Sequence, residues 1–134
     1  MSKEKVTMIV NSGEYQRVSY ALTIAKVAAA FEMEVHILFT YGGLKRLIKS
    51  NTDELGNISD TDIQQNIKKA LEKGSLTKLS DDLVNLKKMG VKIYACISSM
   101  NILNISNENL IEDVHIIGLS EFLVLSIGSI TYFI

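Results

Sequence analysis

Three residues in one short stretch carry most of the chemistry this sequence offers: the only thiol, Cys96, and two hydroxyls just beyond it, Ser98 and Ser99. Residues 91–103 read VKIYACISSMNIL, apolar and β-favouring up to the thiol, then turning to serines and helix formers. The pattern predicts a strand over Val91–Ala95, Cys96 as the first residue past it, and a helix starting near Ser98, with Ser98 or Ser99 as N-cap. A helix start leaves backbone amides without intrahelical partners, and the positive end of its dipole lies there. A sulfur facing those groups has its pKa drawn below the free value of about 8.5, which favours the nucleophilic thiolate. The same groups would hold a persulfide anion, Cys–S–S⁻. Free cysteine is also among the most buried residue types, so a packing role for Cys96 is the competing reading.

The rest of the composition narrows the chemistry. One cysteine can neither close an internal disulfide nor resolve a mixed disulfide, which argues against a disulfide oxidoreductase. With two histidines besides, the chain has too few soft ligands for a zinc site, and no metal or cofactor is expected. His36 falls in the middle of a predicted strand and His115 at the start of another, so both read as core or surface histidines rather than as a base for the thiol. Neither GxxxxGK[ST] nor GxGxxG is present. A net charge of −1 gives no basic face for nucleic acid, and Lys45, Arg46 and Lys49 read as one solvated helix face.

The elements that must position the thiol follow from periodicity. With 47% apolar and 22% charged residues, the chain is expected to fold as one domain over residues 1–134 around a packed core. Val6–Asn11 reads as a buried strand closed by Ser12-Gly13. Val18, Leu22, Ala25 and Ala29 mark a helix over Tyr15–Phe31, with alanines small enough to let it lie close on a sheet. Glu34–Thr40 is a second buried strand, followed by a turn at Tyr41-Gly42-Gly43 and a short helix over Leu44–Lys49. Residues 50–77 are polar and turn-rich, with a modest helix around Ile63–Leu71, and read as a mobile insertion or an assembly arm. A helix over Leu79–Met89 ends at Gly90. A fourth strand at Val114–Ile117, Gly118, a helix over Leu119–Ile127 and a strand at Ile130–Phe133 complete the chain. Strict alternation of strands and helices predicts an α/β fold with a parallel sheet, in which reactive groups collect at the carboxyl ends of the strands. Ser12, Gly13, Tyr41, Gly42, Gly43 and Gly118 fall on that edge with Cys96, as candidates to line a pocket or stabilise the thiolate. The charged start MSKEKVTMIV and the interruption of the last apolar run by Ser126, Gly128, Ser129 and Thr131 predict a cytoplasmic protein without a membrane span.

Four segments resemble the single-cysteine branch of the DsrE/DsrF-like family of small sulfur-transfer proteins: VTMIVNSGEY, EVHILFTYGGLKRLIK, MGVKIYACISSMNILNI and DVHIIGLSEFLVLSIGSITYFI. They leave residues 50–77 outside, as a variable central insertion. The resemblance implies a three-layer α/β/α fold on a parallel five-stranded sheet, assembled as a trimer or hexamer. It also implies that Cys96 is the catalytic cysteine, accepting sulfane sulfur as a persulfide and passing it to an acceptor thiol, with protein or small-molecule donors and acceptors as partners.

Two other readings stay open. One is a small-anion or nucleotide-binding α/β module, and the other is a structural oligomer subunit whose cysteine is simply buried. Phe122, Leu123, Val124 and Leu125 are consecutive and cannot all face one sheet, so some of them must meet another element or another subunit.

Overall fold

Strand β1 (Lys5–Val10) sets the pattern of the fold: Val6, Met8 and Val10 point to one side of the sheet and are buried, while Thr7 and Ile9 point to the other. In this computed structural model, which describes residues 4–134, β1 pairs in parallel with β2 (Glu34–Phe39) on one flank and β5 (Ile130–Phe133) on the other. β3 (Lys92–Cys96) and β4 (His115–Ile117) extend the sheet past β2, giving the order β4-β3-β2-β1-β5 with every neighbour parallel. Parallel neighbours need long crossovers, and the helices supply them. α1 (Tyr15–Ala30) joins β1 to β2; α2 (Tyr41–Leu44), α3 (Thr61–Lys73) and α4 (Leu79–Lys88) lie between β2 and β3; α5 (Ile97–Leu103) and α6 (Leu119–Leu125) complete the chain. Met1–Lys3 lie outside the described residues. Among the described residues, no helix is long and apolar enough to cross a membrane.

The main core fills one side of the sheet. Val18, Ala21, Leu22 and Ala25 of α1 and Leu79, Leu83 and Leu86 of α4 pack on Val6, Met8, Val10, Val35, Ile37, Phe39, Ile93 and Ala95. Each such leucine or isoleucine, fully buried, contributes about 1.5–3 kcal/mol. The opposite side carries a much thinner layer. There Phe122 of α6 packs with Leu38 and Cys96, and Ile9, Tyr94, Ile117 and Leu125 close around them. Towards the amino ends of the strands this face turns polar. His36 is buried with Nδ1 2.7 Å from the Tyr94 hydroxyl and Nε2 2.7 Å from Glu34, while Thr7 Oγ1 meets Ser129 and Thr131 at 2.8 and 2.9 Å. His36 is thus a satisfied core histidine, and no cover of apolar side chains is needed where strand residues pair with one another.

Two predicted features fold differently. Tyr41-Gly42-Gly43 is not a free turn before a helix over Leu44–Lys49; α2 begins at Tyr41 itself and tightens into a 3-10 turn over Lys45–Leu47. Arg46 is not on a solvated face. It is 5% exposed, its Nε donates to Gly13 O at 2.9 Å, and its Nη1 donates to the carbonyls of Asn51, Thr52 and Glu54. Its guanidinium sits 5.6 Å over the Tyr15 ring. Carbonyl oxygens take the place of water around the cation. The start of the predicted mobile insertion is therefore tied to the first strand's rim, and Asp53 adds bonds to Ser80 N and Oγ at 2.9 and 2.6 Å. α3, capped by Asp60, has no buried residue and leans on the core only through Ile67 and Leu71.

Candidate functional site around Cys96

Cys96 is the last residue of β3, paired across to Ile117, and at the same time the N-cap of α5. The strand thus runs one residue further than its apolar run predicts. Its extended backbone (φ −73°, ψ 119°) keeps it in the ladder and lets Ile97 open the helix. Ser98 and Ser99 are therefore not caps: they stand second and third in the helix, whose amides lack intrahelical acceptors and face the residue at the cap. The Cys96 side chain makes no cap hydrogen bond to those amides.

The sulfur lies 3.2 Å from Ser98 Oγ. Burial by itself pushes the thiol pKa up, because the thiolate loses water. The Ser98 hydroxyl, the Ser99 amide, the Ser99 hydroxyl and the Ser98 amide act in the other direction, and together they hold the pKa below its ordinary value. No ionisable side chain contributes to that balance. The sulfur does not stand open to solvent at the sheet's edge. Cys96 is 4% exposed, its side chain turned to the α6 face and walled by Leu38 and Phe122. Tyr94, two residues earlier on the same face, meets Phe122 edge-on with ring centroids 5.6 Å apart. Around this shelter Tyr41, Ile97, Leu119 and Leu123 are about half exposed.

Of the other predicted site residues, Tyr41 joins the cluster: its backbone N–H donates to Ser99 Oγ at 3.1 Å. Ser12 does not reach the sulfur; its Oγ accepts the Glu14 amide at 3.1 Å and shapes the entry to α1. Gly13, Gly42 and Gly43 stand where backbones touch, and Gly13 also lines a hollow with Glu14, Arg46 and Asn57. A β-carbon on Gly13 would stand 2.4 Å from Gly42 O, one on Gly42 2.8 Å from Gly13 N, and one on Gly43 2.1 Å from Val10 O. Gly118 caps α6 in ordinary extended conformation, with only Glu121 Oε1 near its missing β-carbon, at 3.9 Å. Among the described residues no group of three or more His, Cys, Asp or Glu could hold a metal ion. A cavity of about 530 Å³ lies elsewhere, between Lys49, Ser80, Lys87 and Asp113. Sequence reading missed Leu38 and Tyr94 as walls of the site; both sit at the period-two spacing that puts them on the thiol's face of the sheet.

The sheet order, with every neighbour parallel and helices on both faces, defines a five-stranded parallel α/β fold. The chain belongs to the DsrE/DsrF-like family, whose model matches residues 4–127. It is 25% identical to the uncharacterized protein YrkE of Bacillus subtilis (strain 168), over 98% of this chain and 97% of that one. Its fold matches the structure of MTH1491, a protein of unknown function from Methanobacterium thermoautotrophicum, with a TM-score of 0.72 at 13% identity, covering 98% of this chain and 100% of that one. It also matches the crystal structure of the ychN protein from E. coli, with a TM-score of 0.64 at 12% identity and 97% coverage of each chain. Family membership points to a sulfur-transfer-related function.

Proposed function

We propose that the protein is a sulfur carrier that holds sulfane sulfur on Cys96. The carrying observation is that the Cys96 sulfur, buried beside Leu38 and Phe122, lies 3.2 Å from the Ser98 hydroxyl, a donor that favours the thiolate. Burial without such donors would give an inert thiol. In the first step the Cys96 thiolate attacks the outer sulfur of a donor R–S–SH. A Cys96 Sγ–S bond forms, the donor's S–S bond breaks, R–S⁻ leaves, and the proton stays on the transferred sulfur or passes to water. An acceptor thiolate then attacks that outer sulfur, taking it as a new persulfide and returning Cys96 as thiolate. Sulfur changes hands with no net oxidation, so one cysteine suffices and no resolving thiol is required. The donors that favour the thiolate also favour the persulfide anion, and the apolar wall keeps competing water away.

This reading places the protein in a reducing compartment such as the cytoplasm and in a homo-oligomer, trimer or hexamer. Val124 and Ile127, 68% and 73% exposed, together with Leu123 and Phe133, supply apolar surface for such contacts. The 4% exposure of Cys96 favours one rival, a purely structural cysteine. Incubation with polysulfide followed by intact-mass measurement separates the two. The carrier gains one or more sulfur atoms, the gain vanishes in Cys96→Ala, and a thiol acceptor removes it. An unmodified wild-type chain whose thiol is also inert to small alkylating reagents establishes the structural role.

A further inference from the structure

Arg46 carries a buried positive charge that no carboxylate answers directly. It is 5% exposed, and none of the ion pairs among the described residues includes it. Buried charges are ordinarily paired, because the water they lose has to be replaced. Carbonyl oxygens replace it on two of the three guanidinium nitrogens. Nε donates to Gly13 O, and Nη1 donates to the carbonyls of Asn51, Thr52 and Glu54. Nη2, with two N–H groups, has no acceptor among the described residues, where every fully buried side-chain nitrogen and oxygen has a partner. That nitrogen therefore reaches open space, a hollow of about 430 Å³ that Arg46 lines with Gly13, Glu14, Gly56, Asn57 and Ser59. Gly56 shows where it emerges: a β-carbon there would stand 3.8 Å from Nη2. At φ 65° Gly56 turns the chain and leaves the nitrogen uncovered.

We infer that this hollow binds a phosphate group, free or as a small monoester, on Arg46 Nη2. The cation supplies the charge, and its unused nitrogen supplies two donors. Because Nε and Nη1 are committed to carbonyls, neither two-pronged edge of the guanidinium is open, and a planar carboxylate loses its best mode of pairing. A tetrahedral oxyanion loses less, since it offers separate oxygens to Nη2 and to the exposed side chains of Asn57 and Ser59. Glu14 selects among such anions. Its carboxylate accepts from Gln16 Nε2 at 2.8 Å and Arg17 Nε at 3.2 Å, so its charge is met within α1. Its remaining lone pairs accept the proton that a phosphate keeps near neutral pH, a proton sulfate does not have. The carboxylates of Asp53 and Glu54 act on Arg46 from longer range and oppose the loss of charge that burial favours. Arg46 covers the Tyr15 ring on the α1 side of the sheet, whereas Cys96 lies on the α6 side, so phosphate binding here is independent of sulfur loading.

In the intact ¹⁵N-labelled protein at pH 7, amide resonances are followed during titration with inorganic phosphate, glycerol 3-phosphate, sodium sulfate or sodium acetate, each against sodium chloride of equal ionic strength. Inorganic phosphate or its ester gives saturable shifts at Gly13, Gly56 and Asn57. It binds about tenfold more tightly than sulfate or acetate, the worth of one hydrogen bond to a charged group. Tighter binding of glycerol 3-phosphate assigns the site to an ester, and the reverse assigns it to the free ion. Asn57→Asp and Ser59→Asp, at exposed positions that leave the Arg46 bonds intact, each weaken binding about tenfold by setting a carboxylate beside the ligand. Glu14→Gln narrows the gap between phosphate and sulfate. Arg46→Lys, where circular dichroism shows it folded, abolishes the shifts. Shifts no different from those in chloride overturn the site, as do saturable shifts that Asn57→Asp and Ser59→Asp leave unchanged. Sulfate or acetate binding as tightly as phosphate overturns the choice of ligand.

Discussion

Gly13 and Gly42 meet backbone against backbone: a β-carbon on the first would stand 2.4 Å from the carbonyl oxygen of the second, well inside any tolerated contact. The contact joins the ends of two neighbouring strands at the edge where the thiol lies. Gly13→Ala has no flexible side chain to push aside and must separate those rims. We expect a loss of about 1–3 kcal/mol, read as a lower denaturant midpoint with an unchanged m-value.

The lowered Cys96 pKa fixes a pH dependence of both reactivity and stability. Alkylation by a small reagent such as iodoacetamide follows the thiolate fraction, so its midpoint falls below the ordinary cysteine value and moves up in Ser98→Ala and Ser99→Ala. For stability the sign is set by linkage. The folded state releases the thiol proton more readily than the unfolded state, so between the two pKa values the unfolded chain binds more protons. The contribution of Cys96 is thus full above the unfolded pKa and fades as pH falls through the lowered folded value. The melting temperature of wild type relative to Cys96→Ala therefore rises as pH is raised from neutral towards 9; a flat difference contradicts it.

Phe122 is the part of the apolar wall that can be removed without touching the sheet. Phe122→Ala leaves a cavity beside Cys96 and Leu38 and should cost about 3–5 kcal/mol. It should also speed alkylation of Cys96, and Phe122→Leu should do both more weakly. Slower or unchanged alkylation in a folded Phe122→Ala protein shows that the ring does not guard the thiol.

Arg46 anchors two separate pieces of chain, Gly13 and residues 51–54, through carbonyl oxygens that a lysine's single ammonium cannot reach together. Arg46→Lys and Arg46→Met should each destabilise by about 2–4 kcal/mol, since several buried carbonyls lose their donors at once. Proteolysis should then cut first within residues 51–59, the stretch the guanidinium holds. Equal stability of Arg46→Lys and wild type speaks against the clamp.

The architecture was readable because its signals are local. Short apolar runs, alanines at helical spacing and Gly90 after a periodic segment mark the strands and helices to within a residue or two, the short helix after β2 excepted. The position of Cys96 at a strand's carboxyl end followed from the same reading. Its orientation did not: Ala95 and Cys96 are both small and apolar, so nothing in the pattern says which of them faces the main core and which faces α6. That Cys96 occupies the N-cap position of the next helix was hidden because cysteine is uncommon there and two serines nearby are common. The burial of Arg46 depends on carbonyls brought from Gly13 and residues 51–54 and on a ring at Tyr15, contacts no sequence period records. Gly13, Gly42 and Gly43 were found as special positions, but only the folded chain shows that they are there to let backbones touch.

The two sides of the sheet differ in how much must give way for each to be bared. Beneath α1 and α4 lie more than a dozen interlocked side chains, and exposing them means undoing the molecule. Above the sulfur there is a single lid of seven residues, Leu119–Leu125, fastened chiefly by one ring. Lifting two helical turns is a local event, separable from global unfolding. Cys96 lies on the side of the sheet that is easier to bare.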